Sequence, residues 1–173
     1  MESNEYLNFA KEMCIEAGKI MKKYFYQDNG ASYKGDKTIV TLADKEINHI
    51  LIEKVKEKFP AHSVDGEEEK FGKSKYVWVC DPVDGTAMYA RHIPVAVFSL
   101  ALVVDGGPEV GVVYDPFLDN LYSAVKGQGA YCNNKKITVN DFTLEDERSI
   151  GHFDMWPAAE YNDIPVMNEL YKK

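Results

Sequence analysis

The sequence predicts an α+β protein in which two long amphipathic helices pack on one face of a mostly antiparallel sheet. Three observations carry that expectation. Apolar residues recur at helical spacing in two early segments, the period shortens to β-rich runs after Lys75, and tight-turn sequences separate those runs. Strands joined by tight turns form antiparallel ladders, and each amphipathic helix needs an apolar face to cover.

The first helix is expected over Tyr6 to Tyr24. Tyr6, Ala10, Met13, Ala17, Ile20 and Tyr24 form its stripe, with Leu7, Cys14 and Met21 beside them and Lys and Glu opposite. Gln27 to Gly35 is polar, holds Gly30 and Gly35, and reads as a loop. The second helix is expected from Leu42 to Lys58 on the stripe Ile47, Ile50, Leu51, Val55 and Phe59, with Pro60 ending it. A charged loop, Asp65 to Lys75, follows. Tyr76 to Cys80 reads as a strand that stops at Asp81-Pro82. Val95 to Val104 is apolar almost throughout, as a strand buried on both faces would be. Asp105-Gly106-Gly107 turns the chain into a returning strand, Glu109 to Tyr114. Leu121 to Val125 and Lys136 to Val139 add two more, separated by Gly127, Gly129 and Asn133-Asn134.

These elements form one N-terminal α+β domain over residues 1–140. Residues 141–173 read as the start of a second domain. Ser149 to Phe153 could begin a strand and Ile164 to Lys173 a helix, but the chain stops at Lys172-Lys173, so a continuation is expected.

Composition narrows the function classes. The chain has 173 residues, 45% hydrophobic and 28% charged, which excludes a disordered tail, a collagen-like fibre and a coiled coil. Twenty-eight acids against 20 Lys and Arg give a net charge of −8, so nucleic acid is not an expected partner. Cys14, Cys80 and Cys132 are odd in number and far apart, which suits reduced thiols in the cytoplasm. The N-terminus is acidic, unlike a signal peptide. The longest apolar stretch, Ile93 to Val104, is far shorter than the ~20 residues of a membrane-spanning helix. A membrane is not an expected partner either.

Three segments carry the candidate chemistry. Asp81-Pro82-Val83-Asp84-Gly85-Thr86 follows a strand and sets two carboxylates three residues apart around a proline. Carboxylate oxygens with a backbone carbonyl between them suit a hard cation such as Mg²⁺, and the N–H groups of Gly85 and Thr86 could cradle a phosphate. Two common turns in succession would read the same way. Gly66-Glu67-Glu68-Glu69 is either a ligand cluster or a solvated charge run. Thr41-Leu42-Ala43-Asp44 opens the second helix and also fits a capping box with Asp in place of Glu. His49, His62, His92 and His152 lack metal-ligand spacing and are expected at the surface or in loops.

Taken in order, T-x-x-D, G-E-E and D-P-V-D-G-T resemble the inositol monophosphatase family of Mg²⁺-dependent, lithium-sensitive sugar phosphatases. Val40 to Asp44, Phe59 to Ser63, Gly111 to Pro116 and Lys126 to Asn133 extend the resemblance over residues 1 to 140. The resemblance implies a sugar-phosphatase fold and hydrolysis of a small phosphate monoester by metal-activated water. Inositol monophosphate is the default substrate. Fructose 1,6-bisphosphate, histidinol phosphate and 3′-phosphoadenosine 5′-phosphate are alternatives, and a non-catalytic divalent-ion-binding module is the rival from another class. It implies two or three Mg²⁺ ions in the intact site. Glu67, Asp81 and the Val83 carbonyl would hold one, and Asp81 with Asp84 a second. Thr86 would pair with Asp44 and, with Glu67, orient and deprotonate the water, while Gly85 and Thr86 bind the phosphate. Lys34 resembles a lysine near the outer metal. The partner implied is a small phosphorylated metabolite, and a homodimer is admitted.

Two departures stand out. Met88 occupies the place of the family's asparagine, two residues after the threonine. The family's last metal ligand, the aspartate of W-D-x-A, has no counterpart, since Trp156-Pro157-Ala158-Ala159 carries proline there and comes too early. Asp154 and Asp163 nearby read as surface residues. The chain is therefore expected to bind Mg²⁺ weakly and to turn over little.

Overall fold

A computed structural model describes residues 2–35, 38–143 and 146–148. Contacts divide the chain into two compact units, Met1–Thr138 and Val139–Lys173. The expected strand at 149–153 and helix at 164–173 lie outside the described residues, as do His152, Asp154, Trp156 and Asp163. In the second unit, Arg148 pairs with Asp146 at 2.7 Å and stacks over Phe142.

The first unit is built on helix α1 (Glu2–Phe25) and helix α2 (Leu42–Lys58). Between them lies a small ladder of β1 (Ser32–Tyr33) and β2 (Ile39–Val40). After α2 come β3 (Ser63–Gly66), β4 (Lys70–Phe71), β5 (Tyr76–Asp84) and a short helix α3 (Thr86–Tyr89). The remaining strands are β6 (Val97–Val104), β7 (Gly107–Asp115), β8 (Asn120–Val125), β9 (Gly129–Cys132) and β10 (Lys135–Ile137). Eight strands form one sheet in the order β10-β9-β8-β7-β6-β5-β3-β4. Every pair in it is antiparallel except β3–β5.

Both helices cover the same face. α1 packs on β6, β7 and β8, α2 packs on β3 and β5, and the two helices touch. The core between them contains Met13, Met21, Ile47, Leu51, Trp78, Phe98, Leu100 and Leu102. Removing such apolar area from water supplies most of the driving force, at roughly 25 cal/mol per Å².

Several local expectations need correction. β6 is not buried on both faces: Phe98, Leu100 and Leu102 point under the helices, while Ser99, Ala101 and Val103 alternate outward and are only half-buried. The helices cover one face of the sheet only, so period-2 burial results. β5 does not stop at Asp81-Pro82 but runs on to Asp84 through an irregularity. The charged loop expected from Asp65 to Lys75 takes in the end of β3 and the whole of β4, and the glycine-bearing stretch between β8 and β10 contains β9.

His62 lies in the loop between α2 and β3, but not at the surface. It is buried, stacked between Phe59 and Tyr76 with ring centroids 4.9 and 4.7 Å away. Its Nδ1 accepts the Trp78 indole N–H at 3.1 Å, which leaves the ring neutral with its proton on Nε2. Burial lowers the His62 pKa. The folded state therefore resists protonation, so the stability this neutral ring contributes is present above the unfolded value of about 6.5 and is lost as pH falls below it. His62→Gln, which keeps an acceptor for Trp78, should remove that dependence in urea unfolding measured from pH 8 to pH 5. His62→Ala should cost about 3 kcal/mol at pH 8, because it opens the stack and orphans the indole N–H, and less at pH 5, where the parent has lost part of the ring's contribution.

Candidate metal and active site

The site forms where three chain elements end together. The parallel ladder of β3 and β5 sets Gly66 opposite Cys80. One residue on, the Glu67 N–H donates to the Cys80 carbonyl at 3.1 Å, so Glu67 and Asp81 leave their strands side by side.

The irregularity in β5 places the second aspartate. Asp81 pairs with Ser99 and Asp84 with Val97, so three steps on β5 oppose two on β6 and one residue is extra. In a regular strand residues three apart point to opposite faces, and the extra residue reverses that. Pro82 lacks an N–H, which suits a position where the ladder is interrupted. Pro82 and Val83 are buried in succession and Asp84 emerges exposed. Gly85 then turns the chain with φ 94°, and a Cβ there would stand 2.7 Å from the Val95 carbonyl oxygen. No residue but glycine suits that corner.

α2 contributes its N-terminus. Thr41, with extended φ −117° and ψ 174°, caps the helix. Its N–H donates to Asp44 Oδ2 at 2.8 Å and its hydroxyl donates to the same oxygen. The other carboxyl oxygen, Oδ1, lies 3.5 Å from Thr86 Oγ1. That hydroxyl has one proton, and its shorter contact is to the Val83 carbonyl at 2.7 Å. The capping box and the Asp44–Thr86 contact thus coexist on one carboxyl.

Electrostatics mark the same group. Burial pushes the Asp81 carboxyl up to about 7, helped by the charges of Glu67 and Asp84 and by a hydrogen bond with Glu67, against a Val83 N–H donated at 3.2 Å. Burial also raises Asp44 to about 6, with the Glu68 charge adding to it and the Thr41 hydrogen bonds opposing it. Lys34 supplies the counter-charge. Its Nζ pairs with Glu67 Oε1 at 2.8 Å and with Glu68. Partial burial lowers the Lys34 pKa, but those two carboxylates hold it above its usual range. Cys80 is buried and its thiol is raised by desolvation and by Asp81, so it is no thiolate.

Among the described residues no three His, Cys, Asp or Glu side chains stand arranged to hold a metal ion. Asp81 interacts with Glu67 and with Asp84, and Glu67 also pairs with the Lys34 ammonium. The donor chemistry nevertheless fits Mg²⁺. Carboxylates and a carbonyl are hard oxygen donors, and a carboxyl raised by burial and by its acidic neighbours is one that a divalent cation would relieve.

One polar residue at the site carries no motif. Asn48, fully buried on α2, accepts the N–H groups of Glu68 and Glu69 at 3.0 and 3.1 Å and donates to the Glu69 carbonyl at 3.0 Å. The sequence signal was a polar residue inside the apolar stripe, beside Ile47 and four positions after Asp44. Met88 is exposed on α3.

Comparison with known proteins shows the family of the chain. The sequence model of the inositol monophosphatase family matches residues 2–159. The chain belongs to that family. It is 34% identical over 142 residues to inositol monophosphatase 1 of Solanum lycopersicum, covering 79% of this chain and 52% of that protein. It is 34% identical over 172 residues to a fructose-1,6-bisphosphatase/inositol-1-monophosphatase of Aquifex aeolicus, covering 97% of this chain and 64% of the relative. Among solved structures, the Thermotoga maritima IMPase matches with a TM-score of 0.74 at 30% identity, over 79% of this chain and 54% of that one. The chain thus spans about half the length of most curated relatives it matches. The family's α+β fold is the one described above. No described helix is long and apolar enough to cross a membrane.

The raised carboxyls set a pH signature for the cation-free protein. Both fold with pKa values above the unfolded 3.8, so protonation favours the folded state. Their stabilising contribution is fully present below about 4 and is lost as pH rises through 6 for Asp44 and 7 for Asp81. Asp44→Asn should flatten the lower part of that slope in denaturation curves between pH 4 and pH 7. In cation-free buffer at pH 7.5 the variant should be the more stable, by at most about 3 kcal/mol.

Proposed function

We propose that this chain carries the cation-binding and water-activating apparatus of a Mg²⁺-dependent phosphatase acting on a small phosphate monoester, inositol monophosphate by default. The observation behind this reading is the junction at which Glu67, Asp81 and Asp84 adjoin the Thr86–Asp44 pair. Membership of the family supports the reaction class.

Glu67, Asp81 and the Val83 carbonyl would hold one Mg²⁺, and Asp81 with Asp84 a second. Bound there, Mg²⁺ supplies charge stabilisation for the phosphoryl group and the leaving oxygen. The chain's own groups do the rest. Gly85 and Thr86 present backbone N–H groups to the phosphate at the corner before α3. Glu67 orients the attacking water. Rotation of the Thr86 hydroxyl from Val83 to Asp44 links that water to Asp44 Oδ1, and a carboxyl raised to about 6 is suited to hold its proton near neutral pH.

Fructose 1,6-bisphosphate is the second substrate reading, favoured by the double name of the Aquifex aeolicus relative. We place the protein in the cytoplasm, without a nucleic-acid or membrane partner, on its acidic balance and its free cysteines.

Calorimetric titration with Mg²⁺ tests the reading without relying on turnover. Binding is expected at pH 8 and should weaken about tenfold or more by pH 6, because a proton competes at Asp81 below about 7. Glu67→Gln and Asp81→Asn should abolish it. Absence of binding at pH 8 would overturn the assignment.

Asp44→Asn separates the roles within the site. Mg²⁺ affinity should survive, while phosphate release, measured over a panel of inositol monophosphate, fructose 1,6-bisphosphate, histidinol phosphate and 3′-phosphoadenosine 5′-phosphate, should fall about a hundredfold or more. Unchanged release would leave Asp44 only its capping role.

A further inference from the structure

The geometry points to Asn48 as the positioning residue of the acidic turn, the group that sets where Glu67 and Glu68 present their carboxylates. This inference rests on the cation-site reading above. Neither motif spacing nor family resemblance marked the residue.

The turn after β3 has a severe problem of its own. Three consecutive glutamates, Glu67 to Glu69, repel one another, and the first of them lies beside Asp81. Left alone such a run extends into solvent. Asn48 opposes this through three hydrogen bonds that use both ends of its amide. Its carbonyl oxygen accepts two successive N–H groups and its amide donates back to the Glu69 carbonyl. The backbone of the turn is thereby folded around one side chain. With Asn48 fully buried on α2, the anchor is as rigid as the helix.

The glycine that opens the turn belongs to the same device. A Cβ on Gly66 would lie 2.2 Å from Asn48 Oδ1 and 2.6 Å from Nδ2. All three of its nearest neighbours are Asn48 side-chain atoms, so glycine is required there because the amide occupies the space. Asn48 therefore reaches the turn only across a residue without a side chain. The pair explains the first letter of G-E-E as packing against the anchor.

The turn so formed aims its acids in defined directions. The backbone fixed at Glu68 and Glu69 on one side, and at Glu67 by Cys80 on the other, leaves the Glu67 and Glu68 carboxylates close enough for one Lys34 ammonium to pair with both. A carboxylate that must meet a small cation of strict geometry gains from such support, and groups that orient metal ligands are typically worth ten- to a hundredfold in affinity.

Two measurements on the full 173-residue chain decide this. The first is amide hydrogen exchange in cation-free buffer. The Glu68 and Glu69 amides should be protected in the parent and should exchange fast in Asn48→Ala and in Gly66→Ala, with protection in the middle of α1 unchanged. The second is calorimetric Mg²⁺ affinity at pH 8. Each single variant should bind at least tenfold more weakly, and the Asn48→Ala/Gly66→Ala double variant no more weakly than Asn48→Ala alone, since the added methyl then enters vacated space. Leu51→Ala is the control. It opens a cavity on the same helix without touching the turn, so it should lower the melting temperature yet keep Mg²⁺ affinity within twofold. Retained protection at Glu68 and Glu69 in Asn48→Ala would overturn the inference. So would Mg²⁺ affinity that follows melting temperature across all variants, Leu51→Ala included. Should the parent bind no Mg²⁺, the cation-site reading fails by itself, and the exchange data still decide whether Asn48 holds the turn.

Discussion

Five carboxylates crowd one end of this sheet, and the local structure is arranged around the cost of keeping them there. The charges of Glu67 and Asp84 act on Asp81, and that of Glu68 acts on Asp44, which has no exposed surface at all. Like charges in a region of low dielectric repel strongly, and each buried ion also loses its hydration. The protein answers with directed groups. Thr41 gives two hydrogen bonds to Asp44, Val83 gives an N–H to Asp81, Asn48 holds the turn, and Lys34 adds a positive charge. What remains unbalanced appears as carboxyls that hold their protons toward neutral pH. The same imbalance is what a bound cation would relieve under the proposed function.

The fold brings the acids together by topology. A parallel neighbour is unusual in this sheet, and the single parallel pair lies where it is needed. Two antiparallel strands would point their ends in opposite directions, so that Glu67 and Asp81 would part. Running β3 and β5 the same way lets both strands finish at one edge, where the N-terminus of α2 also arrives. The bulge before Asp84 then returns the second aspartate to the face of the first. Direction and register act together here, and neither alone would gather the group.

The sequence disclosed the helices and the hairpin strands because their signals are long and periodic. The α2 bounds, Leu42–Lys58, follow from a stripe that repeats over four turns and a proline that ends it. Motif order likewise disclosed Asp44, Glu67, Asp81, Asp84 and Thr86 as candidates. Short elements were less legible. β3 has four residues, one of them charged, and its pairing depends on a strand fourteen residues later, so no local period announces it. β6 read as doubly buried because Ala101 and Val103 are apolar, although the helices lie on one side only. His62 and Asn48 were hidden for a shared reason. Each is a polar side chain buried because tertiary partners satisfy it, Trp78 in one case and the Glu68–Glu69 backbone in the other. Such partners cannot be read along the chain.

The strand order has a bearing on how the chain reaches this structure. From β5 to β10 each strand neighbours the next in sequence, so most of the sheet consists of pairings between nearby residues. Contacts of short sequence separation close small loops and form early, which favours a meander that assembles strand by strand. α1 is the exception, since it must find β6, β7 and β8 roughly a hundred residues away. Docking of that first helix is the long-range event, and until it happens the apolar side of the meander stays open to water.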